Sequence, residues 1–309
     1  MALPIVAYRH GALMPAIEAR LRDLYELVAP DAPEAATGRV LVTTGGSGAD
    51  ADLIARLPAL ELIAVNGVGY DAVDRTAADA RGIAISNTPD VLTDDVADLA
   101  LALLLATARR LPAADRFVRS GEWAAGGSFP LAHRVSGKRL GIVGLGRIGQ
   151  AIARRAVPFV GDIAYHTRHV VAGVPWRHVA DVRTLAAEVD ILVIIAPATP
   201  QTTGMIDRAV LDALGPSGML INVARGSLVN EPALVSAIEE GRLGAAGLDV
   251  FADEPNVPQA LIDSDRVVLL PHIGSATAET RTAMGELVLA NVAAHFAGEP
   301  LPSVVLPLR

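Results

Sequence analysis

Short apolar runs alternate along this chain with longer stretches whose apolar positions recur at helical spacing. In the N-terminal part the runs are Ile5-Val6-Ala7, Val40-Leu41-Val42, Leu62-Ile63-Ala64-Val65 and Ile83-Ala84-Ile85. Helical stretches such as Pro15 to Leu27 and Ala72 to Arg81 separate them. Alternation of this kind predicts βαβ units and a mostly parallel sheet, because a parallel neighbour is reached only by a crossover. An Ala/Leu-rich helix is predicted from about Asp94 to Arg110, with Thr93 as its N-cap, Asp94 and Asp95 suiting the dipole of its first turn, and Pro112 as its stop. A second series follows: Lys138 to Val143, Asp162 to Tyr165, Asp190 to Ile195, Met219 to Asn222, Ala245 to Asp249 and Val267 to Leu270. These six strand candidates match the number in a doubly wound dinucleotide-binding sheet. The tail from Thr277 to Ala297 reads as one more long helix, closed by Gly298-Glu299-Pro300.

The predicted architecture is α/β with two domains. A Rossmann dinucleotide-binding domain, residues 99–277, is inserted into a flavodoxin-like parallel-sheet substrate domain made of 1–98 and 278–309. With 309 residues and an apolar fraction of 51%, each part can bury a core of its own. The formal charge of −8 and the lack of any basic block argue against nucleic acid or an anionic membrane surface as partner. The absence of cysteine excludes disulfides, thiolate metal sites and cysteine nucleophiles, and no metal site is implied. The start, Met1-Ala2-Leu3-Pro4, has no basic flank ahead of an apolar core, and the densest apolar run, Leu99 to Ala106, is too short to span a bilayer, so a cytoplasmic location is expected.

Gly144-Leu145-Gly146-Arg147-Ile148-Gly149 lies between a predicted strand and a predicted helix, the one context in which this spacing points to a dinucleotide. The first glycine permits the tight turn, the second admits pyrophosphate to the backbone, and the third lets the helix pack on the strand. An NAD site usually presents an acidic side chain to the ribose 2′-hydroxyl about 20 residues further on. Here Tyr165-His166-Thr167-Arg168-His169 contains no acid, whereas Thr167 and Arg168 could donate hydrogen bonds to a 2′-phosphate. NADP(H) is therefore expected to be preferred, with NAD(H) as the alternative.

Three segments place one ionisable residue each at or just beyond the end of a strand-like run: Arg225 in Asn222-Val223-Ala224-Arg225-Gly226, Glu254 in Asp249 to Pro255, and His272 in Pro271-His272-Ile273-Gly274-Ser275. Ligands of open α/β sheets bind beyond the carboxyl ends of the strands, so the three converge on one crevice. The set suits reduction of a 2-keto acid. A guanidinium grips the carboxylate, an imidazolium supplies the proton, and a carboxylate favours the charged imidazole.

With these motifs the chain resembles the D-isomer-specific 2-hydroxyacid dehydrogenases, from about Leu62 to Pro300. Arg119-Ser120-Gly121-Glu122-Trp123 and Tyr165 to Arg168 make it most similar to the glyoxylate/hydroxypyruvate and hydroxyphenylpyruvate reductases of that family. The resemblance implies substrate binding by Arg225, an acid/base role for His272 and a hydrogen bond between that histidine and Glu254. It implies a substrate-carboxylate loop at Asn66, Gly67, Val68 and Gly69, with Arg225 and His272 also touching substrate. For the cofactor it implies Gly144, Gly146, Arg147, Ile148, Gly149, His166, Thr167, Arg168, Ala196, Pro197, Thr202, Val223, Ala224, Arg225, Asp249, His272 and Gly274. Thr93 and Asp98 fall where relatives face the nicotinamide, although a helix-surface role suits Asp98 equally.

The expectation is an NADPH-preferring reductase of small 2-keto acids, glyoxylate and hydroxypyruvate foremost, releasing D-2-hydroxy acids. The alternatives are a phenylpyruvate-type keto-acid reductase, an NAD-linked D-2-hydroxyacid dehydrogenase and, more distantly, a redox-sensing corepressor-like protein. A homodimer is expected too. The 94–110 helix is apolar beyond what one domain covers, and Trp123, Phe129 and Leu131 in the segment after it could reach a partner's cleft. The remaining histidines, His10, His133, His169, His178 and His295, match no motif and are read as surface residues.

Overall fold

The computed structural model describes residues 3–306, which divide into two compact units: one runs from the N-terminus to Leu92 and resumes at Ser275, and the other is Thr93–Gly274. The first unit begins with β1 (Ile5–Tyr8), α1 (Pro15–Leu24), β2 (Glu26–Val28), β3 (Val40–Thr44), α2 (Ala51–Arg56), β4 (Leu62–Asn66), α3 (Arg75–Ala80) and β5 (Ala84–Ser86). The second unit starts with α4 (Thr93–Arg109), α5 (Leu111–Arg119), β6 (Arg139–Val143), α6 (Arg147–Ala156), β7 (Asp162–His166) and β8 (Arg177–His178). It continues with α7 (Val182–Glu188), β9 (Ile191–Ile194), α8 (Arg208–Leu214), β10 (Met219–Asn222), α9 (Glu231–Glu239), β11 (Ala245–Leu248), α10 (Gln259–Ile262) and β12 (Val267–Leu269). The chain then returns to the first unit with α11 (Ala278–Ala297) and β13 (Val304–Val305).

The first unit has the strand order β13-β5-β4-β3-β1-β2, parallel except for β13, which pairs antiparallel with β5. That is the flavodoxin-like order with an added edge strand. The second has the order β12-β11-β10-β9-β6-β7-β8, all parallel, and its winding reverses between β6 and β9 as in a Rossmann sheet. Strands covered on both faces need continuous apolar runs, and β4, β9, β10 and β11 are buried along their whole lengths. Helix starts are fixed by side-chain caps: Asp50, Asp74, Asp181, Asp207, Asn230 and Thr277 each accept from the amide three residues on. Gly298, at φ 70°, ends α11 in the left-handed conformation. Among the described residues no helix is long and apolar enough to cross a membrane.

Several elements differ from the sequence reading. The predicted helix from Pro15 to Leu27 stops at Leu24, because Tyr25 is buried and stacks on Phe296 with ring centroids 4.9 Å apart. The next residues are drawn into β2, whose Glu26 pairs with Ile5. Pro112 does not end the structure after α4. Arg110 takes a left-handed turn (φ 51°), and Pro112 sits in the first turn of α5, where its missing N–H costs nothing. The second sheet has a seventh strand, the two-residue β8, too short to leave an apolar pattern. His295 is not a surface residue: its side chain lies largely buried against Phe296 and 3.1 Å from Glu61.

Within the second unit α4 packs against α6 and the sheet. Arg155 of α6 holds Asp94 at 2.8 Å and Asp98 at 2.5 Å, which gives Asp98 a partner on the helix surface. Leu103 and Thr107 of α4 lie so near Gly247 of β11 that a Cβ there would stand 2.5 Å from the Thr107 hydroxyl.

Candidate active site

The glycine loop joins the end of β6 to the start of α6. Gly144 has φ 99°, and a Cβ on Gly149 would lie 2.1 Å from the Gly144 carbonyl oxygen, so the loop closes only with glycine at both positions. Gly146 is the opposite case. Nothing lies within 4 Å of where its Cβ would stand, and as N-cap of α6 it offers no side chain to the helix's first amides. An open space in front of unfilled helical N–H groups fits a pyrophosphate. Ala196 seals the loop from below, its Cα 2.7 Å from a Cβ built on Gly144. In the turn after β9, the Thr202 hydroxyl donates to the Pro197 carbonyl and accepts from the Thr199 amide, each at 2.8 Å. After β10, Val223 and Ala224 are buried, and the Ala224 amide donates to Asn222 Oδ1 at 3.1 Å.

Beyond β7 the loop is tied down by its own side chains. His166 Nδ1 lies 3.0 Å from the Val179 carbonyl, and His178 Nε2 lies 2.8 Å from that of Thr167. The Thr167 hydroxyl, expected from the sequence to face a 2′-phosphate, donates to the His169 carbonyl at 2.6 Å. Arg168 is exposed, and its guanidinium makes no hydrogen bond or ion pair to another described residue.

The three ionisable residues come from adjacent strands, β10, β11 and β12. Arg225 follows β10 in extended backbone, with Nη1 donating to the Ala224 carbonyl at 2.8 Å. Glu254 Oε2 meets His272 Nδ1 at 2.8 Å, with side chains 35% and 43% exposed respectively. The other carboxylate oxygen of Glu254 accepts from the Phe251 amide at 3.1 Å, which fixes the carboxylate's direction. Burial pushes the Glu254 carboxyl up. The bond with His272, the Phe251 amide and the charges of His272 and Arg225 outweigh it and hold the group below the usual glutamate range. Because the folded value is depressed, the ionised carboxylate contributes fully above about pH 4.5, and its contribution is lost as pH falls through the folded value.

Asp249 anchors the backbone that carries His272. It is 1% exposed at the end of β11, and its two carboxylate oxygens accept from the amides of Ile273 at 2.8 Å and Gly274 at 2.9 Å. These are the two residues after His272, which itself has φ 54°, a left-handed conformation unfavourable for a side chain with a Cβ. The Asp249 clamp holds the chain in that conformation and thereby sets where the imidazole stands. Burial, the dominant influence, raises the Asp249 carboxyl above the usual aspartate range. The carboxylate that the resemblance places among the cofactor contacts thus also holds two backbone amides. Nothing in local sequence marks such a clamp, since its partners are amides 24 and 25 residues away.

In the first unit, Asn66 at the end of β4 turns its amide inward to the Ala12 carbonyl at 2.6 Å, and its Oδ1 is buried without a partner. The loop backbone is oriented by Thr88 N–H on the Gly67 carbonyl (2.9 Å) and by the Asn87 side chain on the Val68 carbonyl (2.9 Å).

A glycine cradle at the switch of a Rossmann sheet, with an Arg, Glu and His at neighbouring strand ends, defines a nicotinamide-dependent oxidoreductase. Residues 101–274 match the model of the D-isomer specific 2-hydroxyacid dehydrogenase NAD binding domain, and the chain belongs to that family. It is 51% identical over 268 residues to a hydroxyphenylpyruvate reductase of Plectranthus scutellarioides, covering 87% of this chain and 85% of that one. Against a glyoxylate/hydroxypyruvate reductase of Arabidopsis thaliana the identity is 50%, over the same shares of the two chains. The crystal structure of an NADPH-dependent glyoxylate/hydroxypyruvate reductase of Sinorhizobium meliloti, in complex with NADP and malonate, superposes with a TM-score of 0.94 at 42% identity, covering 100% of this chain and 99% of that one.

Proposed function

We propose that the chain reduces small 2-keto acids, glyoxylate and hydroxypyruvate foremost, to D-2-hydroxy acids, with NADPH preferred over NADH. The observation that carries this reading is the 2.8 Å bond between His272 Nδ1 and Glu254 Oε2 beside Arg225. The relatives named for these substrates support it, as does the NADP complex of the Sinorhizobium meliloti enzyme. Gly144, Gly146 and Gly149 would hold the cofactor's pyrophosphate, and the bound nicotinamide supplies the hydride. Arg225 binds the keto acid's carboxylate and draws charge onto its carbonyl oxygen. With Nδ1 engaged by Glu254, the imidazolium presents Nε2–H to that oxygen and releases the proton as the alcohol forms.

Glu254→Gln tests the carrying observation. The amide keeps the size but loses the charge, so Nδ1 of His272 is no longer held by a carboxylate, and kcat for keto-acid reduction is expected to fall roughly ten- to a hundredfold with KM for NADPH nearly unchanged. An unaltered kcat in the variant would refute the pairing.

Cofactor preference rests on Arg168, with Thr167 beside it. Arg168→Ala is expected to raise KM for NADPH roughly ten- to a hundredfold, the worth of a charge-assisted bond to phosphate, and to leave KM for NADH nearly unchanged. Equal losses with both cofactors would show that Arg168 does not read the 2′-phosphate.

The reading also includes the homodimer expected around the 94–110 helix and the segment after it; the apolar side chains of that helix, α4, are largely buried within its own unit, which leaves α5 and the following segment as the exposed apolar surface. Trp123 is 67% exposed and Leu131 98%, with Leu111 and Val118 of α5 exposed as well. Phe129, expected to reach a partner, instead packs in its own chain, 5.5 Å from the Phe117 ring centroid and under the Arg110 guanidinium at 5.3 Å. Trp123 and Leu131 are therefore the side chains this surface leaves for a second copy. Light scattering at micromolar concentration is expected to give twice the chain mass of 32.0 kDa, and a mass of one chain would contradict the dimer.

A further inference from the structure

The first unit carries a second cavity-forming feature that the keto-acid reading does not use. Its sheet winds outward in both directions from β1 and β3, and ligands of open α/β sheets settle beyond the carboxyl ends of strands at such a reversal. A cavity of about 390 Å³ lies there, walled by Tyr8, Arg9 and His10 leaving β1, by Leu27 to Pro30 leaving β2, and by Ser47 in the turn after β3. Arg22 of α1 completes the wall, and no carboxylate lines it.

The charges in this wall do not balance. Glu18 receives Arg22 at 2.6 Å and the Tyr8 hydroxyl at 2.8 Å, so its carboxylate is matched to the Arg22 guanidinium. Arg9 has no such counterpart. Its backbone amide continues the sheet by donating to the Val42 carbonyl at 3.0 Å, which fixes where the side chain starts. Its Nε is shut off from solvent with no hydrogen-bond partner, and its guanidinium forms no ion pair with another described residue. Two other arginines have a buried nitrogen without a partner, but each lies against a carboxylate, Arg75 with Asp79 and Arg242 with Glu240. A shielded N–H and an uncompensated guanidinium both call for an acceptor that carries negative charge.

We propose that this cavity binds a small oxyanion of the phosphate class, held by the Arg9 guanidinium with the His10 ring and the Ser47 hydroxyl as further donors. A planar fork and a ring N–H from the segment leaving β1, and a hydroxyl from the turn after β3, line one cavity, which suits a tetrahedral oxyanion. The site belongs to the first unit alone and is independent of the substrate assigned above.

Thermal unfolding of the whole chain in inorganic phosphate, against chloride at equal ionic strength, tests it. Phosphate at about ten times its Kd is expected to raise Tm by roughly 2–3 °C. The rise is expected to persist in Arg168→Ala, which removes the 2′-phosphate reader, to shrink in Arg9→Lys and to vanish in Arg9→Gln. Should Arg9→Gln fold poorly, His10→Gln, at an exposed position, is expected to weaken phosphate binding severalfold by titration calorimetry with NADPH present. A phosphorylated three-carbon acid titrated alongside identifies the natural source. Binding at least tenfold tighter than phosphate assigns a metabolite's phosphoryl group, and equal binding assigns the free ion. No phosphate-specific rise in the unaltered chain, or the same rise in Arg9→Gln, would overturn the proposal.

Discussion

His272→Ala is expected to lower kcat for keto-acid reduction by about 10²–10⁴-fold, the range lost with a positioned general acid, while NADPH binding stays intact. The expectation follows from how the residue is held. Nδ1 is engaged by Glu254 at 2.8 Å, so the other ring nitrogen alone is left to work on substrate. Alanine at this position keeps the cradle at Gly144 to Gly149, which lies on a different strand–helix turn of the same unit. Steady-state kinetics with a fluorescence titration of NADPH separate the two effects. Near-unaltered turnover in the variant would remove His272 from the chemistry, and a matching loss of NADPH affinity would recast it as a structural residue.

Asp249→Ala is expected to cost roughly 2–4 kcal/mol of stability in urea unfolding, because a buried amide and a half-buried one lose their acceptor. It is also expected to lower kcat with little change in KM for NADPH, since His272 loses the clamp that holds its left-handed backbone. Asp249→Asn is expected to be milder. Its single amide oxygen still accepts one bond, and a neutral group removes the cost of keeping a carboxylate where burial disfavours the charge. Alanine without effect on either stability or kcat would show that the two bonds contribute nothing.

The parts of this molecule that can be read from sequence are those in which one residue type has one physical use. Gly149 is legible because only glycine lets the helix start so near the preceding loop, and the Glu254–His272 bond because both residues close apolar runs of neighbouring strands. Uninterrupted apolar runs such as Ile191–Ile194 and Met219–Asn222 disclose the parallel sheet for the same reason. Elements set by distant partners are not legible. β2 exists because Tyr25 finds Phe296 far along the chain, and β13 because Val304 finds Ser86. α5 was hidden by the double meaning of proline, which stops one helix and starts the next with equal ease. At the site, the acceptor demand of two amides drew Asp249, and the His169 carbonyl drew Thr167; neither contact follows from the side chain's identity.

Reduction of 2-keto acids with NADPH, the activity proposed for this arrangement, is read by following the oxidation of NADPH and of NADH at neutral pH against glyoxylate, hydroxypyruvate and phenylpyruvate, with chiral analysis of the products. Turnover is expected with glyoxylate and hydroxypyruvate, with a D-configured product from hydroxypyruvate and a higher kcat/KM with NADPH than with NADH. Absence of cofactor oxidation with every keto acid, or an L-configured product, would contradict it.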